Sequence, residues 1–106
     1  LRLDFDVHPE PQLARGVEGF EHADVDMLTR WFSEAEDQCR ALLALDPPLP
    51  LPAYDWCLKA SHLFNLVDAR GAISVAERAS WIARVRELAK GCAGAWVALQ
   101  EKEEAA

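Results

Sequence analysis

The sequence has 106 residues, 51% of them hydrophobic, and a formal net charge of −7 at neutral pH. This length supports one small domain. No uninterrupted apolar run reaches about 18 residues, so no transmembrane helix is predicted. The acidity disfavours a surface dominated by nucleic-acid binding, because phosphates are repelled. The chain begins at Leu1 rather than Met, and we therefore expect it to be part of a longer protein.

The N-terminal segment alternates between apolar and polar residues. Leu1, Leu3, Phe5 and Val7 are separated by Arg2, Asp4 and Asp6, a pattern typical of a half-buried β-strand. No partner strand follows, so we expect the strand to pair with a sheet outside this sequence; an extended linker is the alternative. Pro9 and Pro11 end the pattern, and residues 1–19 are predicted to be a strand and connector.

The remainder, residues 20–106, is predicted to be helical. The first helix has an apolar stripe with steps of three and four residues, formed by Val25, Leu28, Phe32, Ala35, Cys39 and Leu42. Asp24 is its predicted N-cap, and Asp26–Arg30 and Glu36–Arg40 are predicted to be ion pairs on the solvent-facing side. Prolines from Pro47 onward end this helix.

Two further helices complete the predicted domain. The second begins near Pro52 and runs to about Asp68, and the third begins at Val75. The third is predicted to bury Ile82, Val85, Ala89, Cys92, Trp96 and Leu99. Gly91 and Gly94 are expected to allow close packing of this helix against its neighbours. The predicted fold class is all-α, an antiparallel three-helix bundle preceded by an extended strand or linker.

The connection between the second and third helices concentrates polar side chains. Ser74 followed three residues later by Glu77 is a capping box, in which each side chain bonds the other residue's backbone N–H. Asp68 is expected to form a partly buried ion pair with Arg70 or Arg78. The predicted structural or interface network comprises Asn65, Asp68, Arg70, Ser74, Glu77 and Arg78.

No catalytic residue and no metal site is predicted. Cys39, Cys57 and Cys92 lack C-x-x-C spacing and are expected to be reduced thiols of a cytoplasmic protein. The combinations Cys57 with His62 and Cys39 with Cys92 do not supply the four ligands of a structural zinc site. We expect His62 to be a hydrogen-bonded packing residue.

The third helix also has a basic set, Arg84, Arg86 and Lys90. These residues either contact tRNA or a partner, or form a solvated face with the interleaved glutamates. Trp31 and Trp81 lie beside the apolar stripes rather than on them, which is typical of a partner surface.

The junction resembles a known family. The segment Asn65-Leu66-Val67-Asp68-Ala69-Arg70-Gly71-Ala72-Ile73-Ser74-Val75-Ala76-Glu77-Arg78 is similar, almost residue for residue, to a stretch of the alpha subunit of the bacterial tetrameric glycine–tRNA ligase. The usual Leu and Thr are replaced by Val67 and Ala76. Residues 20–28, 49–54 and 82–86 also resemble that family's C-terminal helical region, whereas residues 1–19 and the acidic tail differ.

This resemblance implies a C-terminal helical domain that scaffolds the catalytic domain and docks the beta subunit. It implies a cytoplasmic parent enzyme that attaches glycine to tRNA(Gly), using ATP and Mg²⁺ and forming glycyl-adenylate. A tetramer with a second alpha subunit is also implied. The class II catalytic motifs of the family do not occur in this sequence, so the segment alone is expected to be non-catalytic. A free-standing helical adaptor without aminoacylation activity is the alternative.

Overall fold

The structure is a computed structural model and describes residues 25–71 and 73–105. The predicted strand, the connector and the Asp24 cap lie outside these residues. Three helices follow one another: α1 (Val25–Leu43), α2 (Pro50–Arg70) and α3 (Val75–Ala105). They form the expected all-α three-helix bundle, in which α1 and α2 pack most extensively and α1 and α3 least.

Helix α1 buries the stripe that its spacing predicts. Leu28, Phe32, Ala35 and Cys39 are buried, and Val25 and Leu42 pack partly buried against them. The predicted solvent-facing position is wrong for Glu36. Glu36 is only 8% exposed.

Helix α2 is longer at both ends than the sequence predicts. It begins at Pro50 and ends at Arg70, where Gly71 adopts a left-handed conformation with φ of 69° and donates its N–H to the Asp68 carbonyl at 2.9 Å. Proline tolerates the first turn because its missing N–H would have no helical partner there. The core residues of α2 are Ala53, Cys57, Ala60, Leu63, Phe64 and Val67.

Helix α3 differs from the predicted pattern. Trp81 and Leu88 are buried together with Cys92, whereas Trp96 is 43% exposed. The partner-surface prediction is therefore wrong for Trp81, whose ring centroid lies 4.4 Å from that of Phe32. It is consistent with Trp31, which is 45% exposed.

The two glycines of α3 have different surroundings. A Cβ atom at Gly91 would lie 3.0 Å from Cδ1 of Leu43, so this glycine permits the close contact between α1 and α3. A Cβ at Gly94 would meet nothing within 4 Å. The predicted close packing is confirmed at Gly91 only.

Candidate functional site

The capping box forms as its spacing predicts. The Ser74 backbone N–H donates to Oε1 of Glu77 at 2.9 Å, and the Glu77 N–H donates to Oγ of Ser74 at 3.1 Å. The hydrogen bond from the Ser74 backbone lowers the pKa of Glu77. Because both bonds satisfy N–H groups that a helix start leaves unpaired, they fix where α3 begins.

A charge pair joins the end of α2 to the first turns of α3. Nε of Arg78 lies 3.1 and 3.2 Å from the two carboxylate oxygens of Asp68. Of the two arginines that the sequence offered as partners of Asp68, Arg78 is therefore the one that binds it in this contact. The side chains are 53% and 32% exposed, respectively, so the pair is more solvated than expected. A pair of this exposure contributes little stability.

The other members of the predicted network lie nearby on α2. Asn65 is exposed, and Arg70 is partly buried in the last turn. The contacts among these residues include Ser74 with Glu77 and Asp68 with Arg78.

A second polar contact, which the sequence does not reveal directly, connects α1 to α3. Nε and Nη2 of Arg84 lie 3.1 and 2.5 Å from the two carboxylate oxygens of Glu36. Nη2 of Arg40 lies 3.3 Å from the same carboxylate, which confirms the predicted Glu36–Arg40 pair. The hydrogen bonds from Arg84 lower the pKa of Glu36 even though burial opposes this.

Aromatic rings surround this ion pair. The guanidinium carbon of Arg84 lies 4.7 Å from the ring centroid of Phe32 and 6.0 Å from that of Trp81. Arginine stacks well on aromatic faces while its fork holds a carboxylate. Arg84 is thus engaged within the bundle, whereas Arg86 and Lys90 of the same predicted set are exposed.

The spacing of Glu36 from its apolar neighbours in the sequence indicates that its side chain is buried. Glu36 lies four residues after Phe32 and three before Cys39, so it falls on the core-facing side of α1. A carboxylate at such a position requires a cation from a neighbouring helix.

The three cysteines are buried free thiols, one from each helix. The Sγ atoms of Cys39 and Cys92 lie 3.8 Å apart. Burial raises the pKa of Cys39 to about 12 and that of Cys57 to about 11, so these thiols stay protonated and are weak nucleophiles. Across residues 25–71 and 73–105, no group of three or more His, Cys, Asp and Glu side chains is arranged to hold a metal ion.

The surface of the described residues includes two apolar depressions. The first, of about 370 Å³, lies between α1 and α2 and includes Trp31, Trp56 and His62; Nζ of Lys59 lies 5.0 Å from the Trp56 ring centroid. The second, of about 430 Å³, lies between the start of α2 and the later turns of α3. Concave apolar surfaces of this kind suit ligands or partner side chains.

The fold and these contacts define an all-α module with a capped junction and an internal ion pair between helices. The family model described as glycyl-tRNA synthetase alpha subunit matches residues 5–101. Because the match spans most of the chain, this chain belongs to the glycyl-tRNA synthetase alpha subunit family. This family belongs to the aminoacyl-tRNA synthetases, which are ligases of protein biosynthesis. In the bacterial type of glycyl-tRNA synthetase, an alpha subunit implies a beta-subunit partner. Within the part of the chain that the structure describes, no helix is long and apolar enough to cross a membrane.

Proposed function

We propose that this chain provides the C-terminal helical domain of a glycine–tRNA ligase alpha subunit, with residues 20–106 as the bundle and residues 1–19 as the connection to a catalytic domain. The observation that supports this most directly is the family match over residues 5–101. The residues of the α2–α3 junction add to it, since they resemble the family's helical region.

The parent enzyme activates glycine with ATP in the cytoplasm, forming glycyl-adenylate and pyrophosphate, and then transfers glycine to the 3′ end of tRNA(Gly). ATP and Mg²⁺ are proposed to bind outside this domain. The sequence has no glycine-rich phosphate loop, and no group of three or more His, Cys, Asp and Glu side chains among the described residues is arranged to hold a metal ion. No chemical step is therefore assigned to these residues.

The domain itself is proposed to act as a scaffold that docks the beta subunit within a tetramer containing a second alpha subunit. Two of its basic side chains already serve internal contacts, Arg78 with Asp68 and Arg84 with Glu36. Because the whole chain has a net charge of −7, it is better suited to a protein partner than to the tRNA backbone.

Deleting the bundle from the intact alpha subunit tests this proposal. Removal of residues 20–106 should abolish association with the beta subunit, measured by sedimentation velocity, while the full-length alpha subunit associates. Undiminished association after the deletion would disprove the docking role. Pyrophosphate exchange by residues 1–106 alone would disprove the assignment of this segment as non-catalytic, and a full-length protein unable to charge tRNA would favour the adaptor alternative.

A further inference from the structure

The second depression, which we call the α2–α3 groove, is almost entirely apolar. It is lined by Pro50, Leu51 and Tyr54 of α2 and by Ala89, Ala93 and Trp96 of α3. Of these, Leu51 is 62% exposed and Trp96 is 43% exposed. Large apolar side chains left in water at a concave site are typical of a protein interface.

More large apolar side chains are exposed at the same end of the bundle as the groove. Val97 follows Trp96 on α3 and is exposed, as are Leu45 and Leu49 in the connection between α1 and α2. This connection lies against the end of α1, because the Leu49 N–H donates to the Leu42 carbonyl at 3.1 Å. Most of the large apolar residues that are exposed in residues 25–71 and 73–105 therefore cluster at one end.

Helix α3 extends past the groove. It has 31 residues, whereas the antiparallel α2 has 21, which corresponds to about 45 and 30 Å of helix. Because Pro50 at the N-terminus of α2 faces Trp96 across the groove, the residues of α3 after Trp96 continue beyond the N-terminus of α2. Their surface is available to another molecule.

The extension ends in charges of mainly one sign. Glu101, Glu103 and Glu104 surround a single Lys102, and all are exposed helical residues. Negative charge at a helix C-terminus is electrostatically unfavourable, since that end already has a partial negative charge. These glutamates thus oppose the stability of their own helix, and they form an acidic segment on α3 beyond the groove, which we call the acidic border.

We propose that the α2–α3 groove and the acidic end of α3 bind an amphipathic helix of a partner protein. Its apolar stripe lies in the groove, and its lysine or arginine side chains face Glu101, Glu103 and Glu104. The inference rests on the proposed function, under which this helix belongs to the beta subunit.

Two valines of α3 provide a matched test of the groove. Val97 follows the groove-lining Trp96 and lies one turn after Ala93, whereas Val75 lies at the opposite end of α3, and both valines are exposed. In the intact alpha subunit, Val97→Asp should weaken binding to the beta subunit by about tenfold or more. The reason is that binding would bury the new carboxylate against an apolar partner surface. Val75→Asp should change the dissociation constant by less than about twofold. Isothermal titration calorimetry measures both, and circular dichroism checks that each variant is folded.

Leu51→Asp on α2 provides an independent second variant, because Leu51 is more exposed than Val97 and its replacement leaves the core intact. If both aspartate variants bind the beta subunit as tightly as the unchanged protein, the groove is not the docking site, whatever the bundle deletion shows. If the alpha subunit alone dimerises and Val97→Asp abolishes that dimer, the occupant is a second copy and the proposal is overturned.

The acidic border is tested by salt. Replacing Glu101, Glu103 and Glu104 together by Gln should weaken binding several-fold at low ionic strength. It should also make the affinity less dependent on salt between about 50 and 200 mM, because the variant lacks the electrostatic attraction that salt screens. Glu87→Gln, on an exposed turn of α3 before the groove, should leave that dependence unchanged. An unchanged salt dependence in the triple variant would show that the partner helix is not basic.

Discussion

Glu36 is buried because it follows Phe32 by one turn of α1, and its charge is tolerated because Arg84 and Arg40 donate to it. Removing one member of such a pair leaves the other charge desolvated, which is more damaging than losing an exposed pair. The pair also selects how α1 and α3 face each other, since the planar arginine fork accepts a carboxylate in few orientations.

The lowered pKa of Glu36 predicts an acid-sensitive contribution to stability. A carboxyl group whose pKa is lower in the folded than in the unfolded chain stabilises the fold above its unfolded pKa of about 4.3. That contribution is lost as pH falls through the folded pKa. Glu36→Gln should therefore be less stable than the unchanged protein by about 1–3 kcal/mol near neutral pH. The difference should shrink as the pH falls below about 4.

Urea unfolding at a series of pH values measures this difference. Arg40→Gln is the control, since Arg40 is the more exposed partner, and it should lower stability by no more than about 0.5 kcal/mol. A constant difference between Glu36→Gln and the unchanged protein at all pH values would contradict the assignment.

The capping box gives a prediction for Ser74. Ser74→Ala removes the acceptor for the Glu77 N–H and should lower the unfolding free energy by about 1 kcal/mol. Ser80→Ala, at an exposed position inside α3, should be neutral or slightly stabilising because alanine is the better helix former. Thermal melts of both variants compare the two serines, and equal midpoints would argue against a stabilising cap.

At the scale of the helices, a partly solvated charge pair, Asp68 with Arg78, spans the α2–α3 junction. Asp68→Asn should cost no more than about 1 kcal/mol of unfolding free energy, less than a partly buried pair would. A double-mutant cycle with Arg78→Met isolates the coupling between the two side chains. A coupling well above about 1 kcal/mol would show that the pair is protected from water more than its exposure indicates.

The glycines of α3 separate packing from helix propensity. Gly94→Ala should stabilise the isolated chain by about 0.5–1 kcal/mol, because the new methyl group meets nothing and alanine favours the helix. Gly91→Ala should stabilise less or destabilise, since its Cβ would press on Leu43. Chemical denaturation of both variants tests this order, and the reverse order would contradict the described packing of α1 on α3.

The helices differed in how well their buried faces could be predicted. In α1, apolar and charged residues alternate with a clear helical period, so the predicted burial of the stripe from Leu28 to Cys39 is confirmed. Helix α3 has alanine, glycine and apolar residues on every side, so periodicity could not separate Trp81 and Leu88 from Trp96. The capping box was predictable because it is local, whereas the Glu36–Arg84 contact joins residues far apart in sequence and depends on how α1 packs against α3.

At the scale of the whole molecule, the net charge of −7 and the internal use of Arg78 and Arg84 leave little basic surface for RNA. Arg86 and Lys90 are exposed on α3 and are the residues of the predicted basic set through which the domain would touch tRNA. In the assembled enzyme, we expect Arg86→Glu to change tRNA affinity by less than about twofold, because an isolated exposed charge in an acidic field attracts phosphate weakly.

Arg30→Glu on the exposed face of α1 makes the same change in net charge and is the control for Arg86→Glu. Filter binding of tRNA at several salt concentrations separates three roles. Weaker binding in Arg86→Glu alone, with a salt slope reduced by about one, would show a phosphate contact and contradict the expectation. Loss of association with the beta subunit, with glycine activation retained, would extend the docking surface to this part of α3. Unchanged binding and assembly in both variants, which we expect, would leave the basic face as solvated surface and place RNA recognition elsewhere in the enzyme.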